Sequence, residues 1–206
     1  MAFDDVVFPT VPLIHDQIRE TIDPVSVASN GSYEYRTKRQ IWERFVYRIS
    51  TQTMTTTQKE QIRNFLLARG HGLNSFKYHD PELSLLQDAV LDYNSGTEWN
   101  LALPLDSTTA GTHPLFNLDE TGSPALSVTV DGSPGTLGSI SVISGQPVIT
   151  VSGTTGTEVV KLSGNAYFTV RLDSNFSETL QALNTSNRPI GHVVNEIRLV
   201  EVFGEY

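Results

Sequence analysis

The sequence predicts a mainly β protein, an antiparallel β-sandwich or barrel with one packed α-helix and an extended N-terminal arm. Three observations carry this. Short segments with β-branched or aromatic residues at every second position recur along the chain, separated by turn residues. Only residues 57–72 combine helical spacing with start and stop signals. Gly and Pro number 15 and 10 among 206 residues, and charged residues make up 18%, a composition suited to an ordered chain of short strands and turns.

The first 24 residues contain Pro9, Pro12 and Pro24 and few periodic apolar positions, so residues 1–24 form the arm, with Phe3, Val6, Val7 and Phe8 as a short strand within it. Such arms are tied down by a neighbouring element or subunit. Residues 25–206 form a single β-rich domain with a loop-rich insertion around 83–125. A strand at 25–28 reaches Asn30-Gly31, the dipeptide of tight hairpins, and turns into a strand at 32–37. The strand at 41–50 follows, antiparallel to the one before it. Its Trp42, Arg44, Val46 and Arg48 alternate with Glu43, Phe45, Tyr47 and Ile49. Large side chains in both sets imply that neither face meets plain solvent.

Thr57 and Glu60 stand in the Thr-x-x-Glu order of a capping box, in which hydroxyl and carboxylate each satisfy an orphaned backbone N–H. Ile62, Phe65, Leu66 and Arg69 then form one stripe, and Gly70 and Gly72 end the helix. A strand at 75–79 leads to Asp80-Pro81. Beyond it, Leu83, Leu85, Leu86, Ala89 and Val90 fit either a helical turn or a strand. Residues 94–97 turn a hairpin between 89–93 and 99–103, and 107–131 is loop-like. Strands at 126–130, 139–143, 148–151 and 158–162 follow, with turns at Asp131-Gly132, Gly145 and 153–156. Strands at 166–172 and 193–203 finish the chain, joined by a polar connection through Phe176, Leu180 and Pro189. The last one closes a sheet.

Cysteine is absent, so disulfides, thiolate metal sites and cysteine nucleophiles are excluded. The expectation is a soluble chain made in the cytosol, since the start lacks a secretory pattern and no apolar run reaches the length of a membrane span. Net charge is −9, unevenly spread: residues 1–80 carry ten Lys and Arg against nine Asp and Glu, and residues 81–206 carry four against fourteen. No basic stripe of the kind used to read nucleic acid is present.

Catalytic signatures are missing. There is no Gly-x-Ser-x-Gly elbow, no His-Glu-x-x-His, no phosphate loop and no dinucleotide fingerprint. His15, His71, His79, His113 and His192 are too dispersed in sequence for ligand spacing. His79-Asp80 is a turn before proline rather than half of a triad, and Gly153-Thr154-Thr155-Gly156 is a hairpin turn. Trp42 and Trp99 belong to a core or interface. The chain is therefore read as a non-enzyme without cofactor or metal. A rival reading is a carbohydrate-binding β-sandwich, with Trp99 and Tyr93 as a stacking platform; a hydrolase is a more distant one.

The order of segments resembles a known family. Phe8-Pro9, Gly31-Ser32-Tyr33-Glu34-Tyr35-Arg36, the aromatic strand from Trp42 to Ile49, the helix ending Arg69-Gly70, and Phe76-Lys77-Tyr78-His79-Asp80 follow one another as in the distal tail proteins of long-tailed bacteriophages and gene transfer agents. Phe168-Thr169-Val170-Arg171-Leu172-Asp173 and Ile197-Arg198-Leu199-Val200-Glu201-Val202 resemble the closing strands of that family. The likeness is weakest over residues 83–126. Departures are Trp42 lying further from Glu34-Tyr35-Arg36 than in the family, Thr169 in place of the usual proline and Leu172 in place of an aromatic. The resemblance implies a tail-tube-like fold and a structural virion protein at the tail tip, assembled in the host cytoplasm. It implies a homo-oligomeric ring, usually of six, which joins a tail tube protein to a tail-tip hub and encloses a channel. DNA passes through without specific binding, and nothing inserts directly into a membrane. Residues expected at the subunit interface are Arg36, Trp42, Arg44, Arg48, Phe3 and Phe8.

Overall fold

A computed structural model describes residues 2–9, 14–22, 25–30, 33–38, 42, 44–51, 54–70, 72–104, 111, 113–120, 122–173, 177–183 and 189–203. It is mainly β with one helix, as the sequence predicts. The chain divides into two compact units, one of residues 1–77 and 169–205, the other of residues 78–168 with Tyr206.

The first unit opens with β1 (Phe3–Val7), β2 (Ile14–Ile22), β3 (Val25–Asn30), β4 (Tyr33–Lys38) and β5 (Arg44–Thr51), followed by α1 (Thr56–Ala68) and β6 (Ser75–Tyr78). Parts of the expected arm are strands of the chain's own sheets. β1 runs parallel to β6, and β2 runs antiparallel to β5, with Ile18 opposite Arg48. Phe8 is 5% exposed; its ring lies 5.5 Å from Phe65 and 5.9 Å from Phe76. β3 and β4 pair as the hairpin expected at Asn30-Gly31. β5, however, is not the partner of β4. It lies between β2 and the last strand, so the antiparallel pairing expected between 32–37 and 41–50 does not form. Period two gives a strand its faces and leaves its neighbours unspecified.

The helix starts earlier than the sequence predicts. Thr55 has an extended backbone and is the N-cap. The Gln58 N–H donates to its hydroxyl at 3.3 Å, and its own N–H donates to Gln58 Oε1 at 2.9 Å. Glutamine at the third helical position closes a capping box as well as glutamate does, and Thr57 is already inside the helix. Glu60 is left to pair with Lys59 at 3.2 Å. Ile62 and Leu66 are buried, and α1 packs on the last strand. After the helix, Gly72 has φ +98°, and a Cβ there would stand 2.4 Å from the Leu172 carbonyl oxygen, so only glycine allows this approach.

The second unit contains β7 (Leu85–Val90), β8 (Asp92–Ser95), β9 (Glu98–Asn100), β10 (Asn117–Leu118), β11 (Ser127–Val130), β12 (Ser133–Pro134), β13 (Thr136–Ile143) and β14 (Gln146–Ser152). The ambiguous segment after Pro81 is therefore strand. β8, β9, β14 and β13 form a four-stranded antiparallel sheet in the order β13-β14-β9-β8. β7, β10 and β11 all pair with the long β15 (Val160–Leu172), whose Val160, Leu162, Ala166 and Phe168 are buried at alternate positions. Ser163, Gly164 and Asn165 weaken the apolar pattern, so the sequence predicts a break there, but the backbone of β15 continues through them.

Along β15 the chain returns to the first unit. There Val170, Arg171 and Leu172 pair with Glu201, Val200 and Leu199. The expected polar connection is itself a strand, β16 (Ser177–Leu183), antiparallel to the first half of β17 (Pro189–Glu201). The second half of β17 has β15 on one side and β5 on the other. It is an interior strand and does not close the sheet. Tyr47, Ile49, Ile197, Leu199, Val170 and Leu172 form the core around it.

Candidate subunit interface

The residues singled out on β5 meet a cluster that the registers define. Arg48 lies opposite Arg198 and Val46 opposite Val200, and Arg171 lies opposite Val200 from the other side. Directly opposed residues, and residues two apart on one strand, share a face. Arg44, Arg48, Arg198 and Arg171 therefore project from the same face of β5, β17 and β15, around the fully buried Val46. Ile18, at 49% exposure, continues this row onto β2, which has no further strand beyond it among the described residues.

The four guanidiniums differ in their surroundings. Arg48 reaches Glu20 of β2 at 3.2 Å, with both side chains 42% exposed, and Arg198 reaches Asp173 at 3.1 Å, with both 33% exposed. Arg44 is half-buried, with its guanidinium 5.8 Å from the centre of the Phe203 ring. Trp42 meets the same ring edge-on at 5.7 Å. Burial first, and the like charge of Arg171 second, push the Arg44 guanidinium below its ordinary value, while Glu201 pulls the other way.

Glu201 is 2% exposed and accepts the Phe45 N–H at 2.9 Å. A carboxylate this deep persists only when it is hydrogen-bonded and charge-compensated. It ties β17 to β5 beside Arg44 and Arg171. The sequence carries its signal, since Glu201 belongs to the alternate set Ile197, Leu199, Glu201 and Phe203, whose other members are apolar. An acid in that set points to hydrogen-bond donors or an opposite charge close by.

The other expected interface residues are placed differently. Phe8 fills its own subunit's core. Phe3 is half-buried on β1, opposite Ser75. Arg36 lies in β4 opposite Val27, and its side chain is outside the described residues.

Constellations weighed for other chemistry resolve as structure. Asp80 is fully buried and accepts the N–H groups of Glu82 and Leu83, while its own N–H donates to Ser84 Oγ at 2.8 Å. His79 is exposed and faces the Tyr167 ring at 6.0 Å. Trp99 is 2% exposed and donates to Thr154 Oγ1 at 3.0 Å, so its faces are not free for a sugar ring and the stacking platform is reduced to Tyr93. In the loop after β14, the Glu158 carboxylate accepts the N–H of Thr155 and of Gly156, each at 2.9 Å. Among the described residues no three His, Asp or Glu side chains gather to hold a metal ion, and no helix is long and apolar enough to cross a membrane. His71 lies outside the described residues, as do the side chains of His15 and His192. A scan against protein-family models finds no match, nor does a search of curated proteins.

Proposed function

We propose that this chain is a ring-forming structural subunit of the tail tip of a long-tailed bacteriophage or gene transfer agent. It joins the tail tube to the hub and surrounds the channel through which the genome leaves. The observation that carries this reading is the division of the chain. The likeness to the distal tail proteins runs over nearly the whole chain, but the motifs that carry it, within residues 8–80 and 168–202, fall almost wholly within one folding unit, and the stretch of weakest likeness, 83–126, falls within the other.

Charge supports assembly with copies of itself. Residues 78–168 contain ten Asp and Glu against one Lys, Lys161, while the first unit bears the arginine face. A face of arginines on one subunit and an acidic unit on its neighbour are complementary, and arginine binds carboxylates through paired N–H groups. The open edge of β2 offers backbone groups for extending the sheet across subunits. This arrangement leaves neutral and acidic side chains for the channel, where basic clusters would retain a passing phosphate backbone.

Class averages of negatively stained protein, with mass from light scattering, test the reading. A closed ring with an open centre is the expected result. A monomer at every concentration, with or without tube and hub proteins, overturns it.

A further inference from the structure

Among the described residues the sheet β13-β14-β9-β8 has two open edges, of opposite character. β8 is four residues long, begins with Asp92, and its register with β9 shifts between Tyr93 and Ser95. Short, charged, irregular edges resist a further strand. β13 is eight residues long and bears no charge. It lies within residues 132–157, which contain no Asp, Glu, Lys, Arg or His.

Antiparallel alternation identifies the free backbone groups on this edge. The Leu101 N–H donates to the Pro147 carbonyl and the Val151 N–H to the Thr97 carbonyl, so Pro147, Ile149 and Val151 turn toward β9. Their partners on β13 are Val142, Ile140 and Leu137. These three direct N–H and C=O groups away from β14, and their side chains are only half-buried. The bulge between Leu137 and Ile140 keeps all three pointing outward. An uncharged strand with apolar side chains and unpaired backbone groups is a template for another strand.

We propose that β13 pairs with β13 of a second copy, antiparallel across a two-fold axis, which merges two four-stranded sheets into one. Charge selects the occupant. Copies of a chain with net charge −9 repel one another over most of their acidic unit, and this segment is where that unit carries no charge to repel with. A partner of a different kind would be steered by the acidic surface, and β13 offers it nothing to steer by. A two-fold axis at Ile140 sets that residue against its own copy and Leu137 against Val142 of the second chain, the self-complementary match that an isologous contact requires. This contact uses neither the arginine face, which lies in the other unit, nor the carboxylates of the acidic unit, since residues 132–157 contain none.

Amide hydrogen exchange against protein concentration, with light scattering, tests the proposal. In the monomer Ile140 and Val142 exchange freely, while Ser141 and Ile143, which face β14, are protected. With rising concentration Ile140 and Val142 gain at least tenfold protection as mass doubles. Val142→Pro removes an outward N–H and no bond of the sheet, and abolishes that gain. Should Val142→Pro not fold, Ser139→Lys with Ser141→Lys places like charges at exposed positions across the axis and has the same effect. Association in which Ile140 and Val142 still exchange freely overturns the pairing while leaving a ring possible. A chain that stays monomeric overturns it too, as does protection that appears only when a different protein is added.

Discussion

The Phe45 N–H donates to the Glu201 carboxylate at 2.9 Å across 156 positions of sequence, and the carboxylate is buried between strands that also carry Arg44 and Arg171. Replacing Glu201 with Leu leaves the Phe45 N–H without its acceptor and removes the carboxylate that offsets the charge of half-buried Arg44, so the first unit should lose about 1–3 kcal/mol. Glu201→Gln keeps an acceptor and should lose less. Urea unfolding followed by Trp42 fluorescence in a Trp99→Phe background measures both. Equal stability of Glu201→Leu and the parent would show that the carboxylate is not a structural tie.

The helix cap separates two threonines. Thr55→Ala removes the acceptor of the Gln58 N–H and should cost about 1 kcal/mol. Thr57→Ala, inside the helix, should cost a few tenths at most. Thermal melts of the two variants decide between them, and a larger loss at Thr57 would move the helix start back to the position read from sequence.

Phe8 is held by its own subunit. Its ring lies against Phe65 and Phe76, so Phe8→Ala should destabilise the isolated subunit by about 3–5 kcal/mol. A residue reserved for a neighbouring subunit would leave subunit stability unchanged and weaken only assembly, which makes subunit stability the measurement that matters.

What the sequence revealed and concealed follows from the range of each signal. Strand periodicity, the Asn30-Gly31 hairpin, the turns at Asp131-Gly132 and Gly145, and the closing glycines of α1 are local, and the structure has all of them. Pairing is not local. Nothing near Tyr33 or Phe45 states that β4 turns back to β3 while β5 lies between β2 and β17. The cap moved two residues because Thr55, Thr56 and Thr57 are consecutive and Gln58 serves as well as Glu60. Of the expected interface, the alternation that places Arg44 and Arg48 on one face was legible. The contributions of Arg171 and Arg198 depend on register between strands more than a hundred positions apart. Proline spacing marks residues 1–24 as extended chain without showing that Phe8 packs against Phe65 and Phe76.

Two groups titrate outside their ordinary ranges in opposite directions. The Thr155 N–H, then its hydroxyl, hold the Glu158 carboxyl down to about 2 from an ordinary 4.5. A depressed acid stabilises the fold above its unfolded value and loses that contribution as pH falls, here between about 4.5 and about 2. The Thr155 and Gly156 amide resonances should shift with a midpoint near the lower value. Tyr167 is pushed up to about 12, first by burial and then by its hydrogen bond to Asp119. Its contribution is present below pH 10 and fades as pH rises toward 12. Burial also raises Tyr78, so absorbance at the phenolate band should show late-titrating tyrosines of which Asp119→Asn brings only one, Tyr167, earlier; a titration unmoved by Asp119→Asn would refute the assignment.

The arginine face tests the proposed assembly more directly than any single buried residue. Reversing Arg44 would set a carboxylate beside Glu201 and damage the subunit itself, so loss of a ring in Arg44→Glu would mean little. Arg48 and Arg198 are better probes, since their side chains are 42% and 33% exposed and exposed pairs such as theirs contribute only about 0.2–1 kcal/mol each. Arg48→Ala with Arg198→Ala should leave the melting curve of the subunit nearly unchanged. If these cations meet the acidic unit of a neighbour, the ring should weaken at least tenfold in the double variant. It should also weaken in the parent as salt rises and the Debye length shrinks from about 10 Å at 0.1 M toward about 3 Å at 1 M. The variant, having lost the charges that salt screens, should respond less steeply. A ring of unchanged strength and unchanged salt dependence would place the arginine face outside the interface and leave the β2 edge to carry assembly alone.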